Sequence, residues 1–185
     1  MRDELAKKLE TVDQATLIPL VRRLLANERA QVVSWRYRPV EGGFGGSYGV
    51  YRFQGEAQAG GETLGWSLIL KVIGPATGSQ EPAAGDYWKR EVLVYGSGLL
   101  DDMQGDLVAP RCVGLVEHPG QESWLWLEDA AESGGEPWPL ERYGLAARHL
   151  GQFSGAYLAG THRAIPDVPS AVNEGRARYG QSAAL

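Results

Sequence analysis

Glu41-Gly42-Gly43-Phe44-Gly45-Gly46-Ser47-Tyr48-Gly49 leads into Val50-Tyr51-Arg52-Phe53 and, past Gly60-Gly61, into Trp66-Ser67-Leu68-Ile69-Leu70-Lys71-Val72-Ile73. The stretch reads as a glycine loop, a strand, a tight turn and a second strand. Glycines this dense let backbone N–H groups close around an anion, and a lysine set in an apolar β-run supplies a cation above it. It is not the P-loop arrangement: no glycine here is followed by Lys-Ser or Lys-Thr, so the lysine comes from a separate strand. Alternation puts Lys71 on one strand face with Ile69 and Ile73, and Leu68, Leu70 and Val72 on the other. Both faces are apolar, as in a strand covered on both sides. An ammonium there either meets an anion or snorkels to water near the strand end, and the strand alone leaves both readings open.

A candidate protein anion follows 20 residues later at Glu91. Asp86 to Tyr95 reads as a helix with Asp86 as its N-cap. Helical spacing puts Glu91 on a stripe with Tyr87, Trp88, Val94 and Tyr95, while Lys89 and Arg90 point elsewhere. A carboxylate among aromatics wants a cation, and Lys71 is the natural one; the competing reading is a solvated surface glutamate.

The 185 residues fit one domain, or a small domain with part of another, and a hydrophobic content of 43% is enough for a core. A net charge of −5 with no basic run argues against nucleic acid as a partner. The single cysteine, Cys112, excludes an internal disulfide framework and fits a reducing compartment; Pro110, Val113 and Leu115 around it suggest a buried thiol. The charged start Met1-Arg2-Asp3-Glu4 lacks a following apolar region, and no apolar run approaches the ~18 residues of a spanning helix, so a cytoplasmic protein with no membrane partner is expected.

Along the chain, residues 3–27 read as two helical pieces, with Thr11 and Gln14 at capping-box spacing and Pro19 tolerable near the start of the second. Strands are expected at 32–40, 48–57 and 64–73, then a connector to the Glu91 helix, then a hairpin of 111–117 and 122–127 across His118-Pro119-Gly120. Trp124 and Trp126 share one face of the last strand, Leu125 and Leu127 the other. Leu140 to Leu158 reads as a helix with Ala146, Leu150, Phe153 and Tyr157 on one stripe, and Gly144, Gly151 and Gly155 suggest close packing against another element. Beyond Gly160 the sequence turns polar.

In that order these pieces resemble the N-terminal lobe of the protein-kinase-like fold, above all the small-molecule phosphotransferases of the aminoglycoside phosphotransferase and choline kinase superfamily. The glycine loop, Lys71, Glu91, the hinge-like WLWLEDA at 124–130 and AARHLGQFSGAYL at 146–158 carry the likeness, which spans about residues 30 to 160. It departs from the strict Gly-x-Gly-x-x-Gly pattern in having Tyr48 where the third glycine would stand. The implied fold class is α+β: a kinase-like N-lobe, a five-stranded antiparallel sheet plus a helix, followed by a truncated helical C-lobe. The implied organisation is an N-terminal helical segment at 1–28, the lobe at 29–130, and at 131–185 a linker, the first C-lobe helix and a polar tail.

The resemblance also implies site residues. Backbone N–H groups around Gly43, Gly45, Gly46 and Ser47 would cover the phosphates of ATP. Lys71 would contact the α- and β-phosphates and be held by Glu91. Backbone groups of Glu128 and Ala130 would bond the adenine edge, with Leu70, Val72 and Leu127 as apolar contacts. No His-Gly-Asp or His-Arg-Asp segment follows, no catalytic residue is assigned, and no ligands for magnesium are visible. The expected function is therefore the ATP-binding portion of a small-molecule kinase, inactive as this chain alone. The alternatives are a non-catalytic nucleotide- or partner-binding module, or a protein that self-associates through an incomplete C-lobe. The acceptor substrate is not legible.

Overall fold

The computed structural model describes residues 2–40, 47–100, 103, 107–118, 121–130 and 137–159. They fall into two compact units, one of residues 1–78 with 110–129 and one of 79–109 with 130–185.

The first unit is a five-stranded sheet, every neighbouring pair antiparallel, in the order β1-β2-β3-β5-β4. Its strands are β1 Gln31–Pro39, β2 Gly49–Ala59, β3 Glu62–Ile73, β4 Cys112–Glu117 and β5 Ser123–Glu128. The expected strands are all present, with ends moved by a residue or two. Gly60 and Gly61, at φ 64° and 92°, make the turn between β2 and β3, a conformation that glycine alone adopts without strain. A bulge between Val32 and Ser34 offsets β1 against β2. Opposite it Gly55 lies so close that a Cβ there would sit 1.9 Å from the Ser34 carbonyl oxygen.

Two helices, α1 Arg2–Glu10 and α2 Gln14–Leu25, precede the sheet. Their apolar residues Leu9, Leu17 and Val21 join Phe53, Leu68, Leu70, Val72 and Trp126 in one buried core. Each fully buried leucine is worth about 1.5–3 kcal/mol over an exposed one, which makes this sheet face the main source of stability. Polar ties seat the helices: Lys8 pairs with Glu122 at 2.6 Å, Arg23 Nη1 donates to the Val113 carbonyl at 2.9 Å, and Arg111 Nη2 to the Leu24 carbonyl at 3.1 Å. The cap of α2 differs from expectation. Asp13 accepts from the Thr16 N–H at 2.8 Å, while the Thr11 hydroxyl turns back to the Lys8 carbonyl and closes α1. Thr11 ends one helix and Asp13 begins the next. Pro19 lies within α2, and Cys112 is half-buried.

In the second unit, α3 spans Arg90–Gly96, four residues short of the expected start at Asp86. The reason is a non-local bridge: Ser79 donates to the Asp86 carbonyl at 3.0 Å and accepts from the Trp88 N–H at 3.1 Å, which holds 86–88 out of the helix. Tyr87 and Trp88 therefore share no helical stripe with Glu91. The last helix, α4, spans Leu140–Leu158 as the sequence predicts. Among its described side chains Arg142, His149, Phe153 and Ala156 are half-buried, whereas Ala146 is exposed and Leu150 is 60% exposed. A Cβ at Gly144, Gly151 or Gly155 would meet nothing within 4 Å, so these glycines mark no close helix packing among the described residues. Among the described residues no helix is long and apolar enough to cross a membrane.

The close approach at the bulge gives a direct test of the β1–β2 register. Gly55→Ala must push backbone against backbone and is expected to cost about 1–3 kcal/mol in a urea melt. A midpoint equal to that of the unmodified chain would contradict the packing described.

Candidate functional site

The sheet has two faces, and β3 decides what each does. Leu68, Leu70 and Val72 lie in the core beneath α1 and α2, all at 0% exposure. Lys71 therefore belongs to the second face, opposite Val50 on β2 and Leu125 on β5. Ile69, opposite Arg52 and Leu127, shares that face. Lys71 itself is half-buried in this apolar strip.

The backbone around the glycine loop is anchored at both ends. The Val40 N–H donates to the Val50 carbonyl at 2.8 Å, and the Tyr48 N–H to the Val72 carbonyl at 2.7 Å. Tyr48, which replaces the expected third glycine, is a packing residue. Its ring covers Gly74, where a Cβ would lie 2.2 Å from it, and its hydroxyl accepts from the Ala76 N–H at 3.2 Å. Ser47 is half-buried just before it. Gly43, Gly45 and Gly46 lie outside the described residues. The loop thus leaves and re-enters the sheet beside Val50 and Val72, next to Lys71.

The other expected residues are placed as follows. Glu91 lies in the first turn of α3, in the second unit, half-buried. Lys71 belongs to the first unit and Glu91 to the second. Glu128 pairs with Leu68 at the end of β5. Its N–H already donates to the Arg111 carbonyl at 2.9 Å, so it is not a free donor. Its carboxylate accepts from Arg111 Nε at 2.7 Å and from the Arg111 N–H at 3.0 Å. Hydrogen bonds from the Arg111 side chain and backbone hold this carboxyl below its ordinary value of 4.5. Ala130 is exposed, just beyond the first unit. Of the candidate apolar contacts, Leu70 and Val72 point into the core, whereas Leu127 shares the face of Lys71.

A polar cluster lies further along the second face, outside the residues that the resemblance implies. Asp129 receives Arg52 Nη2 at 3.0 Å and the Ser67 hydroxyl at 2.6 Å. Arg52 Nε lies 2.7 Å from Asp129 Oδ2 as an ion pair, without the alignment of a hydrogen bond. The cluster ties the end of β5 to β2 and β3. Beside it is a shallow hollow of about 880 Å³, lined by Arg36, Arg52, Gln54, Glu56, Ser67 and Asp129 among others. A signal was available: Arg52, Gln54 and Glu56 alternate with Phe53 and Gly55, the pattern of a strand with one wet face. Asp129 could be added only once the pairing of β5 with β3 was known.

Among the described residues no group of three His, Cys, Asp or Glu side chains is gathered to hold a metal ion. The chain matches no family model, no curated protein and no solved structure.

Two outcomes test these contacts. Asp129→Ala strands the buried Arg52 Nε and is expected to cost about 1–3 kcal/mol in urea, against about 1 kcal/mol for Ser67→Ala; equal, negligible losses would contradict the clamp. Because the Glu128 carboxyl is held low in the folded chain, its stabilisation is present above 4.5 and lost as pH falls through the folded value. The melting-temperature gap between the unmodified chain and Glu128→Gln should therefore be open at neutral pH and close in acid. A gap that widened in acid would reverse the sign.

Proposed function

We propose that this chain is the ATP-binding portion of a small-molecule phosphotransferase of the aminoglycoside phosphotransferase and choline kinase type, in the cytoplasm. The observation that carries the reading is Lys71. It is a half-buried cation on the face of β3 turned away from the helix-covered core, directly across from Val50, where the anchored glycine loop rejoins the sheet. A phosphate lying under the loop would meet backbone N–H groups around Gly45, Gly46 and Ser47 on one side and this ammonium on the other. Val50, Ile69 and Leu127, which share the face, would line the space for the base. The backbone beyond Glu128, toward Ala130, would meet its edge. In this reading Glu91 positions Lys71.

The proposal concerns binding. Bound ATP would supply the transferable phosphoryl group, but the sequence carries no His-Gly-Asp or His-Arg-Asp segment and the described residues gather no metal-ligand set. No transfer step is derived. The same absence favours, as a second reading, a module that binds nucleotide without turning it over.

Thermal melting with ATP tests the first claim. At a concentration a hundredfold above Kd, binding stabilises by about 2.7 kcal/mol, a rise of roughly 5 °C, and Lys71→Ala should abolish it. No shift at saturating ATP, or an equal shift in the variant, rejects the reading. ATP consumption by the chain would reject the non-catalytic version.

A further inference from the structure

We propose that β1 is a docking edge for an extended acidic segment of another protein, which adds to the sheet as a sixth strand. β1 stands at the end of the strand order and pairs only with β2. The Val40 N–H bonds β2, and Arg38, Arg36 and Ser34 share its phase in the antiparallel ladder. The alternation therefore turns the N–H and C=O groups of Trp35 and Tyr37 outward, and none of them meets a partner among the described residues. Pro39 falls in the same outward phase, where a missing N–H costs the ladder nothing. The opposite edge is different, because the Val113 carbonyl of β4 is already taken by Arg23.

The side chains of this edge say what would fit. Arg36 and Arg38 stand on one face, neither with a hydrogen-bond or ion-pair partner among the described residues, in a chain of net charge −5. Glu56, the nearest opposing charge along the ladder, faces Ser34. On the other face Trp35 and Tyr37 are 37% and 38% exposed. Tyr37 is held rigid by stacking on Phe53 at 5.1 Å. A second copy is a poor occupant: antiparallel pairing centred on Tyr37 sets Arg36 against Arg38, centring on Arg36 sets it against itself, both repulsive, and centring on Trp35 runs the ladder into the bulge between Val32 and Ser34. An added strand alternating acidic and apolar residues meets both arginines on one face and both aromatics on the other, with main-chain bonds to Trp35 and Tyr37 between them. A guarded edge would need the charges alone; an exposed Trp35 and an exposed, stacked Tyr37 beside them are the composition of a binding anchor.

The test is fluorescence anisotropy of the full chain with a labelled nonapeptide alternating glutamate and valine, and with its lysine counterpart. The glutamate peptide should bind and the lysine peptide should not. Arg36→Glu with Arg38→Glu should weaken binding at least tenfold at an unchanged melting temperature. N-methylation of the peptide amides that face the edge should abolish binding, while methylation of the alternate set leaves it intact; this arm holds even if the double variant misfolds. Equal binding of both peptides, indifference to which amides are methylated, or no binding would overturn the proposal. So would protection of the Trp35 and Tyr37 amides that rises with protein concentration alone, which assigns the edge to a second copy.

Discussion

The alternation of β3 is the constraint on which the rest depends. One run of residues, Leu68 to Val72, serves a sealed core with its even positions and a half-buried second face with its odd ones. A slip of one residue would bury Lys71 and expose Leu68, Leu70 and Val72 together. At about 1.5–3 kcal/mol for each apolar side chain, plus the cost of a buried ammonium, that penalty rivals the whole stability of a domain, about 5–15 kcal/mol. The register is therefore not negotiable. The place of Lys71 follows from the packing of residues that have no part in binding.

The same logic extends outward from β3. Val40 and Tyr48, on either side of residues 41–46, are held by main-chain bonds to Val50 and Val72. The Asp129 clamp fastens the end of β5 to β2 and β3 on the face that Lys71 occupies. On the covered face, Arg23, Arg111 and Lys8 tie helix ends to the β4–β5 hairpin. The ties to Glu122, Val113 and Asp129 give partners to polar groups that lie largely buried.

Much of this was legible in the sequence, and what was not has physical causes. The strands could be read because alternation and the Gly60-Gly61 turn are local signals, and Trp124 and Trp126 fell on one face as parity requires. The start of α3 was misplaced because the Ser79 bridge to Tyr87 competes with helix formation, and no helical periodicity reports such a bridge. The cap of α2 shifted by two residues because Thr11 and Asp13 are both cap formers, and only backbone geometry chooses between them. Parity separates the two faces of β3 without saying which one the helices cover, so it left Leu70 and Val72 beside Leu127 as candidate base contacts. The Asp129 cluster needs the mutual register of three strands, which no single stretch encodes. Of the apolar stripe expected on α4, Phe153 is half-buried while Ala146 and Leu150 are exposed.

The most direct test of the central claim is chemical. An adenosine bearing an amine-reactive sulfonyl fluoride where the phosphates would lie should label Lys71 before the other lysines, with ATP protecting it, as read by mass spectrometry of the digested chain. Labelling spread over the exposed lysines, or unaffected by ATP, would mean that this face of β3 holds no nucleotide.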